Sequence, residues 1–234
     1  MPHLLDNMIW HALITGNRNI AELDGKVGLY KEDIAPFAGM EAFTEDNLAT
    51  LHQLLSPKQS VAVSYTDAIT LDSTQWEIVQ HMDCCQMVYT NPIPTFTTPQ
   101  SHLIQPLTDM HIPQMLELTA LTKPGPFRER TILFGNYFGI FIDGRLAAMA
   151  GQRMHPVPYL EVSAVCTHPD FRGHGYAKAA MLKVMELILQ QSFIPFLHVL
   201  SNNTAAIALY ESIGFTVRRN LFIDVIRKQF YKEH

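Results

Sequence analysis

Glu161-Val-Ser-Ala-Val-Cys-Thr-His-Pro-Asp-Phe-Arg172-Gly173-His174-Gly175-Tyr176-Ala177 is the stretch that decides how this chain folds. Its apolar first half predicts a buried strand over residues 159–167. A turn at His168-Pro169 follows, then a glycine-bearing loop, then a helix over residues 175–191 with Ala177, Ala180, Met181, Val184 and Ile188 on one face. Strand, loop and helix in that order present unpaired backbone N–H groups and the positive end of a helix dipole to whatever lies in the loop. A phosphate or pyrophosphate suits such a place. Gly175 and Ala177 keep side-chain bulk away, and Arg172 adds a fixed positive charge.

The kind of phosphorylated ligand follows from the patterns the loop lacks. A dinucleotide fingerprint needs a third glycine where Lys178 stands, and no Gly-x-x-x-x-Gly-Lys-Ser/Thr run occurs anywhere. What stands there is Arg-x-x-Gly-x-Ala, at Arg172, Gly175 and Ala177. With its preceding strand this resembles the acetyl-CoA loop of the GNAT superfamily of N-acetyltransferases, Gln/Arg-x-x-Gly-x-Gly/Ala. Downstream, Asn203-Thr-Ala-Ala206-Ile-Ala-Leu209-Tyr210-Glu-Ser-Ile-Gly214-Phe215 is similar to a second segment of that superfamily, Asn-x-x-Ala-x-x-Leu-Tyr-x-x-x-Gly-Phe. Locally, Ala206, Leu209, Tyr210 and Ile213 share one face of a short helix, with Asn202 or Asn203 as its cap and Gly214 as its stop.

The resemblance implies acetyl-CoA as cosubstrate, no metal, and direct transfer of an acetyl group to an amine nitrogen. It implies pantetheine paired like an extra strand with the backbone of Val165, Cys166 and Thr167. It puts the pyrophosphate on the amides of Arg172, Gly173, His174, Gly175, Tyr176 and Ala177. Asn203 is expected near the pantetheine arm or at the helix start. Glu161 takes the place of the glutamate that is the base in histone-acetylating members, and Tyr210 is the expected acid for the departing thiolate. Other readings stand beside these. Glu161 also reads as an exposed strand residue paired with a nearby arginine, Tyr210 as core packing, Asn203 as a plain helix cap, and Cys166 as an acyl-carrying nucleophile or an inert buried thiol. His168 reads as a turn residue, and His174 is within reach of a phosphate oxygen. At the level of function, the rival to an enzyme is a catalytically inactive acyl-CoA-binding module acting through a protein partner.

Composition agrees with a globular chain. Of 234 residues, 47% are hydrophobic, enough for a sizeable core, and the net charge of −5 gives no footprint for nucleic acid. Three cysteines, two of them adjacent, make no disulfide framework, which predicts a cytoplasmic protein. Residues 1–19 do not read as a signal peptide, and no apolar run is long enough to span a bilayer. The eleven histidines show no metal-ligand spacing. The resemblance implies a small-molecule or peptide amine as partner, and the composition predicts no nucleic acid and no membrane. Oligomeric state and acyl chain length are not legible.

The expected organisation is an N-terminal α/β domain over 1–91, a Pro/Thr-rich linker over 92–100, and a GNAT-like domain over 101–234. Before the linker, helices are predicted at 4–14, 46–55 and 74–82, and strands at 26–30, 60–65 and 86–90. This part lacks the loop pattern and reads as a degenerate GNAT-like half of the kind that precedes the working half in proteins resembling glycine N-acyltransferase, forming one wall of an acceptor cleft or simply covering an edge strand. After the linker the order is strand 103–106, helix 109–121, short helix 127–134, strands 137–142 and 145–153 about an Asp143-Gly144 hairpin, strand 159–167, helix, strand 195–200, helix, and closing strands 215–217 and 221–227. The fold class is α/β (α+β): a mixed, mostly antiparallel sheet flanked by helices. Lys123-Pro-Gly-Pro-Phe127 is expected to form a stiff wall of the acceptor pocket.

Overall fold

The computed structural model describes residues 3–91 and 97–229; residues 92–96, most of the proline-rich part of the expected linker, and the two chain ends lie outside them. In chain order the elements are α1 (Met8–Ile14), β1 (Ala21–Asp24), β2 (Val27–Tyr30), β3 (Ala38–Met40), α2 (Glu45–Leu54), β4 (Ser60–Tyr65), β5 (Trp76–Tyr89), β6 (Ile104–Leu107), α3 (Ile112–Thr122), β7 (Tyr137–Ile142), β8 (Arg145–Gln152), β9 (Tyr159–Thr167), α4 (Tyr176–Gln190), β10 (Ile194–Leu200), α5 (Thr204–Ser212) and β11 (Phe215–Lys228), with short 3-10 turns between some of them.

Local chemistry accounts for most boundaries. Thr44 caps α2 by accepting the Asn47 N–H at 3.3 Å, and Glu45 and Asp46 sit in its first turn, where the helix dipole favours anions. Asp143 and Gly144 both have positive φ, 48° and 77°, the geometry of the tight turn that joins β7 to β8 with the twist the strands require.

The strands form two sheets. β1, β2 and β3 make a small antiparallel sheet, and the other eight make one sheet in the order β4-β11-β5-β10-β9-β8-β7-β6. Within the large sheet only β9 and β10 run parallel. The large sheet does not respect the expected linker. β5, from before it, is inserted between β10 and β11, from after it, and β4 lies on the outer side of β11. The first ninety residues therefore do not build a self-contained half: they form the small sheet and complete the large one.

Three further expectations are corrected. Residues 74–82 are not helical; they are the start of β5, which pairs with β11 from Trp76–Lys228 through Tyr89–Phe215. Long-range pairing overrides local preference there, because few side chains at this end of β5 are buried and the sequence shows no clean alternation. The helix expected at 127–134 is only a 3-10 turn, Thr131–Phe134. The two closing strands are one strand with a bulge at Arg218.

Each face of the large sheet is covered. On one, Ala180, Met181, Val184, Met185 and Ile188 of α4 pack on Met87, Leu160, Val162, Leu197 and Val199. On the other, Leu5, Met8, Ile9 and Leu13 pack on Cys84, Phe196 and Leu221. Each large apolar side chain buried in this way contributes about 1.5–3 kcal/mol by leaving water. A third cluster joins α2 and the small sheet to β4 and Ile226 of β11.

Candidate active site

β9 and β10 pair at three positions, Tyr159–Ile194, Leu160–Pro195 and Glu161–Phe196, and then part. From there on, the edge of β9 that faces β10 has no strand partner among the described residues. On its other edge β9 carries a bulge: Ala164 and Val165 together oppose Ala150 of β8, and Ala164 has φ 52°. Such an insertion bends a strand and strengthens its twist, turning this end of β9 away from β10. Past the bulge, His168 N–H donates to Ala147 O at 2.8 Å. Ladder alternation then points the Cys166 backbone at Met149 of β8 and leaves the Thr167 N–H and C=O facing the slot. Of the three residues expected to pair with an extended ligand, Thr167 thus presents its backbone to it, Val165 sits in the bulge, and Cys166 is turned to β8.

The loop after β9 is open. His168 is a turn residue, its Nδ1 accepting the Asp170 N–H at 3.2 Å. Arg172, Gly173, His174 and Gly175 are exposed. Gly173 and Gly175 have φ of 82° and 75°, which side chains with a Cβ rarely adopt. Gly175 caps the fifteen-residue helix α4 without any side-chain hydrogen bond, so its first-turn N–H groups, beginning with Tyr176 and Ala177, keep their donor capacity. The His174 imidazole is folded back, with Nδ1 at 2.9 Å from Arg172 O and its ring stacked on Tyr176. Gln100 secures the loop from outside by donating to His174 O at 2.9 Å. These residues fit a pyrophosphate: uncapped amides, a free guanidinium and no bulk.

At the closed end of the slot stands Glu161, fully buried. Arg153 grips it bidentately, Nε to Oε2 at 2.8 Å and Nη2 to Oε1 at 2.7 Å. His198 Nδ1 lies 2.8 Å from Oε1, and Met154 N–H donates to Oε2 at 3.3 Å. Burial alone pushes the carboxyl up, but the Arg153 charge and hydrogen bonds, with those of His198, outweigh it and hold the group well below the usual carboxylate range. Arg153 in turn lies over the Phe37 ring, 5.0 Å from its centroid. The arginine partner of the alternative reading is present, but the residue that carries it is buried rather than exposed, and all its carboxylate hydrogen bonds are taken within the sheet.

Tyr210, on α5, is partly buried and packs edge-on to Phe215 at 6.3 Å; burial raises its phenol pKa. Its hydroxyl has no hydrogen bond to another described residue. Asn203 is the cap of α5, Oδ1 accepting the Ala206 N–H at 3.1 Å. The Cys166 thiol is buried, which pushes its pKa up to about 11 and suits an inert thiol rather than a nucleophile. Arg153, His198, Gln86 and Gln100 were not singled out in the sequence. The alternation of β8 against β9 placed an arginine across from Glu161, but only the fold brings His198 and Gln86 to the same spot.

Across the sheet from α4, the N-terminal segment meets residues 128–131, which follow the 123–127 turn, and that turn lies beside Arg153. Arg130 pairs with Asp33 at 3.0 Å, Thr131 Oγ1 donates to Ile34 O at 2.7 Å, and a Cβ on Gly125 would lie 3.6 Å from Arg153 Nη1. Among the described residues no helix is long and apolar enough to cross a membrane, and no group of three His, Cys, Asp or Glu is placed to hold a metal ion.

Known proteins share this fold. Residues 107–215 match the acetyltransferase (GNAT) family. A protein from Novosphingobium aromaticivorans DSM 12444, described as a candidate acetyltransferase of the GNAT family, is 31% identical, with 98% of this chain and 100% of that one superposed at a TM-score of 0.90. A GCN5-related N-acetyltransferase from Kribbella flavida shares the fold at a TM-score of 0.62 and 12% identity, over 94% of this chain and 95% of that one. The ribosomal protein bS18-alanine N-acetyltransferase of Salmonella typhimurium (strain LT2) is 28% identical over 125 residues, half of this chain and 84% of that protein.

Proposed function

Because the chain belongs to the GNAT family of acetyltransferases, we propose that it moves the acetyl group of acetyl-CoA directly onto the nitrogen of a small-molecule or peptide amine. The observation that carries this reading is the slot between β9 and β10, which runs from Glu161 to the open loop at the start of α4. Acetyl-CoA supplies the activated acetyl group as a thioester. The 172–177 loop and the first turn of α4 hold its pyrophosphate, Arg172 adding charge. Thr167 pairs with the pantetheine arm as a neighbouring strand would. A slot-facing N–H near the bulge stabilises the oxyanion that develops on the thioester carbonyl. Tyr210 donates its proton to the thiolate as it leaves, and the phenolate regains one through solvent as the acetylated nitrogen sheds a proton to become the neutral amide.

The amine must attack as the neutral form. Glu161 is a poor candidate to deprotonate it, since its oxygens already accept four hydrogen bonds. The amine instead loses its proton to solvent before or during binding. It enters from the side lined by the N-terminal segment and the 123–127 turn, which form the acceptor wall. The Salmonella relative acts on an alanine nitrogen of a ribosomal protein, in keeping with an amine or peptide acceptor here. All three cysteines are free and buried, in keeping with a reducing, cytoplasmic setting.

The test is a panel of amines, each incubated with acetyl-CoA while free CoA is read with a thiol reagent. Release that depends on the amine, with a matching gain of one acetyl group by mass, is expected for at least one member. CoA binding with no acetylated product from any amine would favour the inactive binding module.

A further inference from the structure

Where β9 leaves β10, side chains take over from backbone. The last rung of the parallel ladder is Glu161 with Phe196, and two residues along β10 the His198 ring reaches back to Glu161 Oε1 at 2.8 Å. The proton's place on that ring follows from its other neighbour. Arg218 Nε donates to Gln86 Oε1 at 2.5 Å, and Gln86 Nε2 donates to Leu5 O at 2.9 Å, which settles the amide's orientation. The same Nε2 lies 3.0 Å from His198 Nε2. An amide nitrogen only donates, so His198 Nε2 accepts and its Nδ1–H donates to Glu161. Arg218, Gln86, His198, Glu161 and Arg153 thus form one hydrogen-bonded row across the sheet: β11, β5, β10 and β9 each give one residue, and Arg153 follows directly on β8. Asp6, before α1, anchors its outer end through Arg218.

We propose that His198 and Glu161 form a clasp that sets how far β9 and β10 open, and that Glu161 serves the reaction as a positioning residue. This rests on the pantetheine reading above. Backbone bonding holds neighbouring strands about 4.8 Å apart. Beyond the last rung that restraint ends, and the clasp is the first contact past it. Glu161 to Thr167 is about 20 Å of strand, so an opening of a few degrees at Glu161 shifts the far end by roughly 2 Å. A hydrogen bond to the free edge of β9 tolerates far less than that. Because every acceptor site on the carboxylate is used, the clasp has one low-energy geometry, and Gln86 keeps His198 in the tautomer it needs.

Calorimetric titration with two probes tests it: CoA, and the nucleotide half of CoA that ends at the pyrophosphate. His198→Phe removes the donor and keeps a ring. It should weaken CoA about tenfold, the scale of one charge-assisted hydrogen bond, and leave the nucleotide half within about twofold. His198→Asn places an amide nitrogen where Nδ1 stands and should restore CoA binding to within about threefold of the wild type. Undiminished CoA binding by a folded His198→Phe, or equal losses for both probes, overturns the clasp alone. A wild-type chain that binds neither probe overturns the pantetheine reading and the clasp with it. If His198→Phe does not fold, the wild-type structure with CoA decides: Nδ1 still bonded to Glu161 supports the clasp, and a broken bond beside bound pantetheine overturns it.

Discussion

The two ends of β9 follow opposite rules. At Glu161 every polar group is satisfied: its N–H donates to Met154 O, its C=O accepts from Arg153 N–H, and the carboxylate accepts four hydrogen bonds. Six residues later Thr167 points its backbone into an empty-sided slot, and the loop beyond it is exposed, uncapped and charged. Satisfied groups in a dry interior make structure; unsatisfied ones beside water make a binding site. A single strand does both, so the rigid end positions the open end.

The contrast predicts that substitutions at the closed end cost stability, and through the clasp ligand as well, while those at the open end cost ligand or turnover alone. The largest effect should come from the closed end. Glu161→Gln leaves the buried Arg153 charge uncompensated and should lower unfolding stability by about 3–5 kcal/mol, read from urea denaturation. A small loss would mean that water reaches the pair and that this end is not dry.

At the open end, Tyr210→Phe removes only a hydroxyl. Turnover on a chemistry-limited amine should fall on the order of a hundredfold, with the melting temperature and CoA affinity little changed. Near-normal turnover would return Tyr210 to core packing. Arg172→Glu should weaken CoA by about tenfold or more through charge reversal at the pyrophosphate, again without loss of stability. Unchanged affinity would show that the loop is not where the phosphates bind.

Acid sharpens the contrast further. The folded-state Glu161 carboxyl titrates below its unfolded value of about 4.3, so the pair stabilises the fold at every pH above that value. The contribution should drain away as pH falls below about 4.3, and Glu161→Gln should flatten that part of the stability profile. An unchanged acid limb in the variant would deny Glu161 this role. The smallest effect should come from Arg227 and Glu77. Their Nε and Nη2 contacts, 2.8 and 2.7 Å, match those of Arg153 and Glu161, but both side chains are partly exposed, at 38% each. Glu77→Gln should hardly move the denaturation midpoint, because solvent screens such pairs. Equal losses at Glu161 and Glu77 would show that geometry, not burial, decides.

The open end was legible in the sequence because its physics is local. Arg172, Gly173 and Gly175 act within a few residues of one another, and positive φ at the glycines is a property of the residue type. Tyr210 and Asn203 came with the helix pattern around them, and the Asp143-Gly144 turn announced its hairpin. The closed end was not legible, because its members lie far apart in the chain. Arg153 is 8 residues from Glu161 and His198 is 37, while Gln86 reaches His198 over a separation of 112. Burial of Glu161, which turns a candidate base into an ion-paired anchor, is a property of the whole sheet. The misreading of residues 74–82 has the same cause: β5 is a strand because β11 lies beside it, not because its own residues insist on it.

That placement of β5 shapes how the chain comes together. β5 leaves the ribosome early, yet its two neighbours, β10 and β11, follow only after more than a hundred further residues. The sheet therefore closes late, through contacts of long sequence separation, which slows folding. Until then β5 is a fourteen-residue strand with two bare edges, and the gap between β10 and β11 awaits it. Either can be filled by a neighbouring copy at high concentration, giving strand exchange or aggregation during synthesis. Separating residues 101–234 from what precedes them would make that gap permanent, so that segment should be insoluble when expressed alone and recover when the first ninety residues are supplied in trans.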